Sequence, residues 1–217
     1  MNLQKKSENI ELSVIIPTKN GNDRLKNNLN LLFDNPGLSD EEFEIIIIDS
    51  NSEYPFTYET KSNLQIINST IDLGRAGARN KGIESATGKR ILFLDDDIEP
   101  CEEFLLKHKS VGEKYPDSAI LGKINYFNED ESCLKQIWDT AFYFKDLVHG
   151  TEHNFIKFIT ANISIPRKYV TNSMLFSEEF MGWGYEDIEF GYRLEKKFNM
   201  KIIFSANPMV FLNIIKP

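Results

Sequence analysis

Three consecutive aspartates, Asp95, Asp96 and Asp97, follow directly on the apolar run Ile91–Leu94. Such a run is typical of a buried strand, and in an open α/β sheet ligands bind at the carboxyl ends of the strands. Carboxylate oxygens placed there can hold a divalent cation against a phosphate. Aspartates also serve in turns and helix caps, so the triplet alone fits either role. Just upstream, Gly74–Gly88 reads as a glycine turn, a basic helix start and a glycine stop. This context favours a site for a metal-bound nucleotide.

A second acidic cluster stands nearer the end of the chain, where Trp183 lies between two glycines and Glu186 and Asp187 follow shortly after. The small flanking residues would leave the indole ring free to face the apolar side of a sugar. The two acids would fall in the first turn of a helix, where the macrodipole favours their ionised forms. Alternatively they only stabilise that helix, with Glu189 and Arg193 forming an i,i+4 pair.

The first half of the chain alternates between short strands and helices, which predicts a doubly wound α/β start. The strands are apolar on both faces, as expected of parallel strands that helices cover. The predicted strands are Leu12–Ile16, Glu44–Ile48, Leu64–Ile67 and Arg90–Leu94, and the predicted helices run from about Asp23 to Phe33 and from about Ala76 to Ala86.

The second half of the chain has a less regular pattern. Helices are predicted from Pro100 to Tyr115 and from about Tyr185 to Phe198, with a short one opening at Pro166-Arg167, and Leu134–Phe144 is amphipathic. Strands are predicted at Ala119–Leu121, Ile124–Phe127, Lys201–Phe204 and Met209–Leu212, with one strand or two in Phe155–Ile165. The stretch from Phe144 to Asn154 is predicted as a mobile loop.

Polar residues also follow the first two predicted strands. Pro17, Thr18 and Asn20 end the first strand and could place backbone groups against a nucleotide, although a plain turn explains them equally well. Asp49 ends the second strand and could accept hydrogen bonds from a base or a ribose. Each of these signals is weak when taken alone.

Two common nucleotide-binding motifs can be set aside. The stretch after Gly82 superficially resembles a P-loop, but Arg90 stands where that motif requires a metal-binding Ser or Thr. The spacing of Gly74, Gly77 and Gly82 does not match the dinucleotide fingerprint, which disfavours a dehydrogenase.

Length and composition indicate a single globular domain, residues 1–217, with a substantial core. The net charge of −8 argues against nucleic-acid binding. Two cysteines, Cys101 and Cys133, are too few for a disulfide framework and indicate free thiols in a reducing compartment. Residues 1–11 lack an apolar signal core, and no run approaches a membrane span, which predicts a cytoplasmic protein. Peripheral contact with a membrane-borne substrate stays open.

These motifs occur in the order seen in family-two glycosyltransferases of the GT-A fold, which the chain resembles over nearly its whole length. The segments that carry the resemblance are Pro17–Asn20, Asp49–Ser52, Gly77–Gly82, Leu94–Asp97, Thr160–Ser164 and Gly182–Asp187. The C-terminal part is also similar to the galactosyltransferase-type subgroup. The resemblance implies a Rossmann-like, mixed but mostly parallel sheet flanked by helices, with a nucleotide-sugar half over about 1–100 and an acceptor half over about 101–217.

The resemblance further implies an inverting transfer of a sugar from a nucleotide diphosphate donor, expected to be UDP-linked, to an acceptor hydroxyl. Asp95 and Asp97 match the family's DXD pair, with Asp97 as the main ligand of Mn²⁺ or Mg²⁺ and Asp95 facing the ribose or the metal. Asp96, Pro17, Thr18 and Asn20 belong to the expected donor site. Asp49 matches an acid near the base, although the second acid often found there is Ser50 here.

The acceptor side follows from the same resemblance. Asp187 matches the residue that takes the acceptor's proton, and Glu186 stands beside it as a second catalytic candidate. Trp183, Gly184 and Asn162 are the expected acceptor contacts, and the acceptor would be a glycan, a lipid-linked molecule or a protein.

Arg79, near the predicted start of a helix, is expected either to contact the diphosphate or to pair internally with the aspartate triplet.

The chain departs from the pattern at one point. Members of this subgroup commonly place a metal-binding His on the last strand, and the stretch Met209–Asn213 contains none. Two alternatives therefore stay open. A sugar-phosphate nucleotidyltransferase would need a glycine-rich basic N-terminal loop, which residues 14–24 do not provide. A catalytically degenerate sugar-nucleotide binding protein would fit the missing His and Ser50.

Overall fold

The computed structural model of the protein describes residues 10–21, 23–34, 37–126, 147–170, 173–180 and 184–212. The strands in these ranges are β1 Leu12–Thr18, β2 Phe43–Ser50, β3 Leu64–Ser69, β4 Arg90–Leu94, β5 Ile98–Pro100, β6 Ala119–Tyr126, β7 Glu152–His153, β8 Asn162–Pro166 and β9 Ile202–Leu212. The α-helices are α1 Asp23–Phe33, α2 Gly74–Ser85, α3 Phe104–Lys114 and α4 Glu186–Phe198.

All of these strands belong to one sheet, in the order β3-β2-β1-β4-β8-β6-β9-β5, with β7 paired to β9. The first half is parallel: β1 lies between β2 and β4, and β2 pairs with β3. The second half is mixed, because β8 runs antiparallel to β4 and β6 whereas β6 and β9 are parallel. Most of the paired residues lie in parallel pairings, as the sequence predicts.

The core is densest around the three parallel strands that lead to the polar loops. Every residue of β4 is buried, and β1 is buried except for partly exposed Pro17, because helices cover both faces of the sheet. Helix α2 packs on β1 and β2 at close range: a Cβ added to Gly82 would lie 2.4 Å from the Cγ2 atom of Ile15. Glycine at this position is therefore required by the packing.

The region after the aspartate triplet differs from the prediction. The helix predicted from Pro100 begins only at Phe104, and Ile98–Pro100 instead forms β5, antiparallel to the end of β9. Glu103, which precedes the helix, has a left-handed backbone with φ of 54°. A strand of three residues is too short to leave a periodic signal in the sequence.

Other predicted boundaries also need correction. The two strands predicted within 119–127 are one strand with an irregularity after Gly122, and the last two predicted strands are the single strand β9. Phe155–Lys157 forms a 3₁₀ turn, because the Asn154 side chain accepts a hydrogen bond from the amide of Ile156, and β8 begins only at Asn162. The predicted mobile loop contains β7, and Leu134–Phe144 lies outside the described residues. The short helix expected after Pro166 is present as the 3₁₀ turn Arg167–Tyr169.

Candidate functional site

The carboxyl ends of β1, β2 and β4 meet at one edge of the sheet. Thr18 and Asp49 are register partners at the ends of β1 and β2, and β4 ends one residue before Asp95. Parallel neighbours must present their ends together, so the predicted donor-site residues come from three neighbouring loops. The structure thus brings together the polar residues that follow β1, β2 and β4, as the sequence predicts.

Asp96 is turned towards the protein. The Thr18 hydroxyl donates a hydrogen bond of 2.5 Å to Oδ2 of Asp96, and the Asn28 side-chain amide donates to its backbone carbonyl at 3.1 Å. Burial, assisted by the charges of Asp97 and Asp95, raises the pKa of the Asp96 carboxyl to about 6. Asp96 therefore ties the triplet to β1 and α1.

Asp95 and Asp97 remain closer to solvent. Asp97 is exposed, and partial desolvation together with the carboxylate of Asp95 raises its pKa. Two crowded carboxylates are the oxygen donors that Mg²⁺ and Mn²⁺ prefer, and a cation would relieve their mutual repulsion. No group of three or more acidic, His or Cys side chains suited to a metal occurs in the described ranges, so phosphate oxygens and waters would have to complete the coordination.

Arg79 joins the two acidic clusters. Its Nη2 lies 3.1 Å from Oδ1 of Asp95, and its Nη1 lies 2.9 Å from Oε1 of Glu186. The arginine is only 3% exposed and Glu186 only 4%. Because α2 already begins at Gly74, Arg79 lies in its second turn, inside the molecule. Arg79 was expected either to contact the diphosphate or to pair with the aspartate triplet. The structure shows the second arrangement, the ion pair with Asp95.

The start of α4 is shaped by two left-handed residues. Gly184 has φ of 88° and Tyr185 φ of 75°, and the chain turns there so that Glu186 enters the interior. A Cβ added to Gly184 would meet no atom of the described residues within 4 Å. Glycine is therefore favoured here by the left-handed backbone and not by close packing. Glu186 is therefore an interior partner of Arg79, and its expected role as a second catalytic residue stays a prediction. Glu189 and Arg193 do form the expected i,i+4 pair, at 2.6 Å.

Asp187 lies beside Glu186 but is partly exposed. Its Oδ1 accepts a hydrogen bond of 2.8 Å from the amide of Ile188. Burial, followed by the charge of Glu186, raises the pKa of the Asp187 carboxyl to about 6. A carboxylate with such a pKa is mostly ionised at neutral pH and binds a proton more tightly than an ordinary aspartate, which suits a general base.

Asn80 is a contributor that the sequence did not single out by itself. Its side chain donates to the carbonyl of Phe176 and to Glu178, each at 2.9 Å, and accepts from the amide of Phe176 at 2.8 Å. These bonds fasten the segment that leads towards α4 to helix α2. An Asn directly after an Arg on one predicted helix was the available signal, but the partners of Asn80 lie 96 and 98 positions away.

Asp49 and Asn20 hold the loop after β2. The Asp49 carboxylate accepts hydrogen bonds from the amide and hydroxyl of Ser52 and, at 2.6 Å, from the amide of Phe56. Asn20, with φ of 58°, donates its amide to Ser52 and accepts from the amide of Glu53. Both residues lie at the expected edge of the sheet, and their contacts shape a loop that a base could approach.

A second acid, Asp72, does lie near Ser50, although no sequence motif predicts it there. Oδ1 of Asp72 accepts from the Ser50 hydroxyl at 3.1 Å, and Oδ2 pairs with Lys19 at 2.6 Å. These bonds and that of the Gly74 amide lower the pKa of Asp72 to about 2. Asp72 thus brings a permanent negative charge to the end of β2, from a residue 22 positions further along the chain.

Two predicted acceptor contacts have different outcomes. Asn162 is fully buried, and its amide bonds the ring of His108 at 2.9 Å and the carbonyls of Lys123 and Pro208. An acceptor cannot reach such a side chain, so Asn162 is a residue of the interior. Trp183 lies outside the described residues, and its acceptor contact stays a prediction.

The sequence matches Glycosyl transferase family 2 over residues 13–178. The chain therefore belongs to this family. It is 25% identical to an uncharacterized glycosyltransferase, YfnE, of Bacillus subtilis, over 86% of this chain and 61% of that protein. It is 28% identical to validoxylamine A glucosyltransferase of Streptomyces hygroscopicus subsp. limoneus, over 84% of this chain and 47% of that protein. The chain thus spans less than two thirds of the length of these relatives.

Solved structures support the same fold. The structure of S. aureus TarS 1–349 in complex with UDP-GlcNAc superposes with a TM-score of 0.74 at 19% identity, covering 96% of this chain and 60% of that one. The architecture is accordingly that of a GT-A fold, as the resemblance implied. No helix within the described ranges is both long and apolar enough to cross a membrane.

Proposed function

We propose that this chain is an inverting glycosyltransferase that moves a hexose from a UDP-linked donor to an acceptor hydroxyl. One observation carries the proposal: the buried Arg79 pairs with Asp95 at 3.1 Å and with Glu186 at 2.9 Å. It thereby holds the aspartate triplet next to the start of α4. A group that would face a diphosphate and a group that would take a proton are thus held near each other, although Asp95 and Glu186 lie far apart in the sequence.

The donor would lie along the carboxyl edge of β1, β2 and β4. Pro17, Thr18 and Asn20 would form the edge that faces the nucleoside. Asp49, which is buried, would shape the loop beside it, and Asp72 would add a negative charge there. The UDP ligand of TarS supports this choice of nucleotide, since the two chains share the fold. A carboxylate near a base selects for its N–H donors, which uracil offers.

Asp97 and Asp95 would hold Mn²⁺ or Mg²⁺ against the two phosphates. When bound, such a cation supplies Lewis-acid stabilisation of the negative charge that develops on the leaving diphosphate. Asp95 can take part only through the lone pairs that Arg79 leaves free, so Asp97 is the principal protein ligand. The missing His on β9 makes phosphate oxygens a larger share of the coordination than in galactosyltransferase-type relatives.

Asp187 would act as the base. Its carboxylate accepts the proton of the acceptor hydroxyl while that oxygen attacks the anomeric carbon from the face opposite to the leaving diphosphate, which inverts the configuration. The neighbouring negative charge of Glu186 and the partly buried environment favour protonation of Asp187 as the reaction proceeds. Glu186 itself acts through Arg79 as a positioning residue.

The acceptor would approach from the side of Gly184 and Trp183. One relative, the poly(ribitol-phosphate) β-glucosyltransferase of Bacillus spizizenii, is 31% identical over 55% of this chain. Its name supports a hydroxyl-rich acceptor, and glycans, lipid-linked acceptors and glycosylated proteins share that chemistry. A cytoplasmic protein with peripheral membrane contact could reach any of them.

The test is a turnover assay with a panel of UDP-sugars, with Mn²⁺, with Mg²⁺ and with EDTA. We expect metal-dependent release of UDP that rises when a hydroxylated acceptor is added, together with a product of inverted configuration by NMR. Formation of a UDP-sugar from UTP and a sugar phosphate would instead identify a nucleotidyltransferase. Tight UDP-sugar binding without turnover for any acceptor would identify a degenerate binding protein.

A further inference from the structure

A cavity of about 470 Å³ opens at the opposite edge of the sheet, where the parallel strands begin. Its walls include Leu12 at the start of β1, Arg90 at the start of β4 and Pro166 at the end of β8. Arg90 and Asp95 are five positions apart along an extended strand, a distance of about 17 Å. This amino-edge cavity is therefore separate from the proposed sugar-transfer site.

Arg90 is an unusual wall residue, because its guanidinium is buried and no described residue supplies a counter-ion. The residue is 8% exposed, and its Nη2 donates to the backbone carbonyls of Ser118 at 2.8 Å and Ser164 at 3.1 Å. Its Nε has no hydrogen-bond partner in the described parts of the chain. Burial lowers the pKa of Arg90 to about 10, so the group is still charged at neutral pH. A buried charge without a partner is costly.

Helix α3 is built to admit this guanidinium. Gly112 lies inside the helix, where glycine is unfavourable by about 1 kcal/mol relative to alanine. A Cβ at this position would lie 2.7 Å from both Cδ and Nε of Arg90. The glycine thus leaves room for a cation at the cavity wall.

Arg167 provides a second guanidinium on the same cavity. It is exposed, its Nε donates to the carbonyl of Gly88 at 2.7 Å, and no carboxylate of the described residues pairs with it. The lysines on the cavity, in contrast, have acidic partners. These ion pairs are Lys89 with Glu11, Lys109 with Glu42 and Glu113, and Lys168 with Asp117. Among the basic residues that line this cavity, the two arginines are therefore the ones without an acidic partner in the described part of the chain.

We propose that the amino-edge cavity binds a phosphate group, with Arg90 and Arg167 as its guanidinium ligands. The planar fork of arginine matches the geometry of phosphate oxygens, and a bound dianion supplies the counter-charge that Arg90 lacks. Leu12 and Pro166 give the cavity an apolar wall, which suits a phosphate carried on an organic body. The source is either a soluble phosphate or the headgroup of an anionic lipid. The proposal does not depend on the proposed transferase activity.

The experiment is an NMR titration of the protein with inorganic phosphate at constant ionic strength, in EDTA so that no metal recruits phosphate to the aspartate triplet. We expect saturable amide shifts around Gly112 and Arg167. Arg167→Gln should weaken the apparent affinity about tenfold or more, since it removes charge-assisted hydrogen bonds. Gly112→Ala should weaken binding by displacing Arg90. Lys197→Gln, an equal loss of charge on exposed α4, is the matched control and should leave the affinity unchanged.

A second arm uses vesicles of phosphatidylcholine with and without phosphatidic acid. Binding only to the acidic vesicles, lost in Arg167→Gln and kept in Lys197→Gln, identifies the lipid headgroup as the source. Phosphate binding without vesicle binding identifies a soluble phosphate, which equally supports the site. The proposal is overturned if no saturable shifts occur around the cavity, or if Arg167→Gln and Lys197→Gln reduce the affinity to the same degree.

Discussion

The two acidic clusters of this protein use the same arrangement on different elements. In each, one acid is held by a buried partner and its neighbour is left accessible with a raised pKa. At the end of β4 Asp96 is held by Thr18 while Asp97 is exposed. At the start of α4 Glu186 is held by Arg79 while Asp187 is partly exposed.

The difference between the clusters lies in the charge of the holding partner. Thr18 is neutral and stabilises the Asp96 carboxyl by one hydrogen bond, so that burial still raises its pKa to about 6. Arg79 is a cation that satisfies Glu186 and Asp95 together. The buried acid of the α4 cluster is therefore held by an ion pair, and the inward-facing acid of the β4 cluster by a neutral hydrogen bond. Adjacent acids can thus have unequal roles, which substitutions should separate.

The largest effect is expected for Asp187→Asn. Asparagine keeps the size of the side chain but cannot take a proton, so sugar transfer should fall by about 10²–10⁴-fold. The free energy of unfolding at neutral pH should not decrease, because the raised pKa shows that the folded state disfavours the ionised carboxyl. Transfer assays and urea unfolding measure these two quantities. A near wild-type rate would remove Asp187 from the proposed mechanism.

Next in size is the loss of stability in Arg79→Ala. Removing the cation leaves Glu186 buried without a partner, which should cost about 3–5 kcal/mol of unfolding free energy. Arg79→Lys should recover only part of this, because an ammonium cannot span both carboxylates as a fork does. Lys81→Ala on the same helix is the control, since its exposed pair with Glu84 should be worth less than about 1 kcal/mol. Equal losses of unfolding free energy in Arg79→Ala and Lys81→Ala would show that the Arg79 ion pairs stabilise the fold no more than an exposed pair does.

The β4 cluster should separate in the same way. Asp97→Ala should abolish metal-dependent binding of UDP with Mn²⁺ and leave the unfolding free energy unchanged, since the side chain is exposed. Asp96→Ala should instead cost about 1–3 kcal/mol, because the buried Thr18 hydroxyl loses its acceptor. Calorimetry and urea unfolding of both variants give the comparison. If Asp96→Ala abolished metal-dependent binding and Asp97→Ala lowered stability, Asp96 would be the metal ligand and Asp97 the structural residue.

The smallest effect is expected for Gly184→Ala. Alanine at φ of 88° should cost about 1–2 kcal/mol, with no steric contribution because the surrounding space is open. Gly150→Ala provides the control, with φ of 83° and equally open surroundings. Both variants should lose similar stability in urea, but only Gly184→Ala should also lower transfer, because it redirects the start of α4. Equal transfer by both would assign Gly184 a purely structural role.

The sequence predicts the parallel half of the sheet well, because β1, β2 and β4 are apolar runs that end in polar loops. It also places Asp95 to Asp97 correctly at the end of β4. It could not predict that Arg79 pairs with Glu186, 107 positions away, because the choice depends on how α2 and α4 pack. Nor could it show that Asn162 faces inward, since that orientation depends on His108 from α3.

The burial of His108 illustrates the same limit. Complete desolvation lowers its pKa to about 3, so the ring is neutral. It cannot replace the missing metal-binding His, because it is fully buried and its two nitrogens are bonded to Ser164 and Asn162. The pattern around His108 in the sequence is that of an ordinary amphipathic helix. Only the approach of β8 decides which of the helix's polar residues is enclosed.

The central claim, that Asp187 takes the acceptor's proton, is tested most directly by the pH dependence of transfer at saturating donor and metal. Saturation removes the pH dependence of donor binding from the measured rate. The rate should rise about tenfold per pH unit at low pH and level off above the Asp187 pKa of about 6, because only the ionised carboxylate accepts a proton. A rate that is flat over roughly one pH unit on either side of that pKa would contradict the assignment.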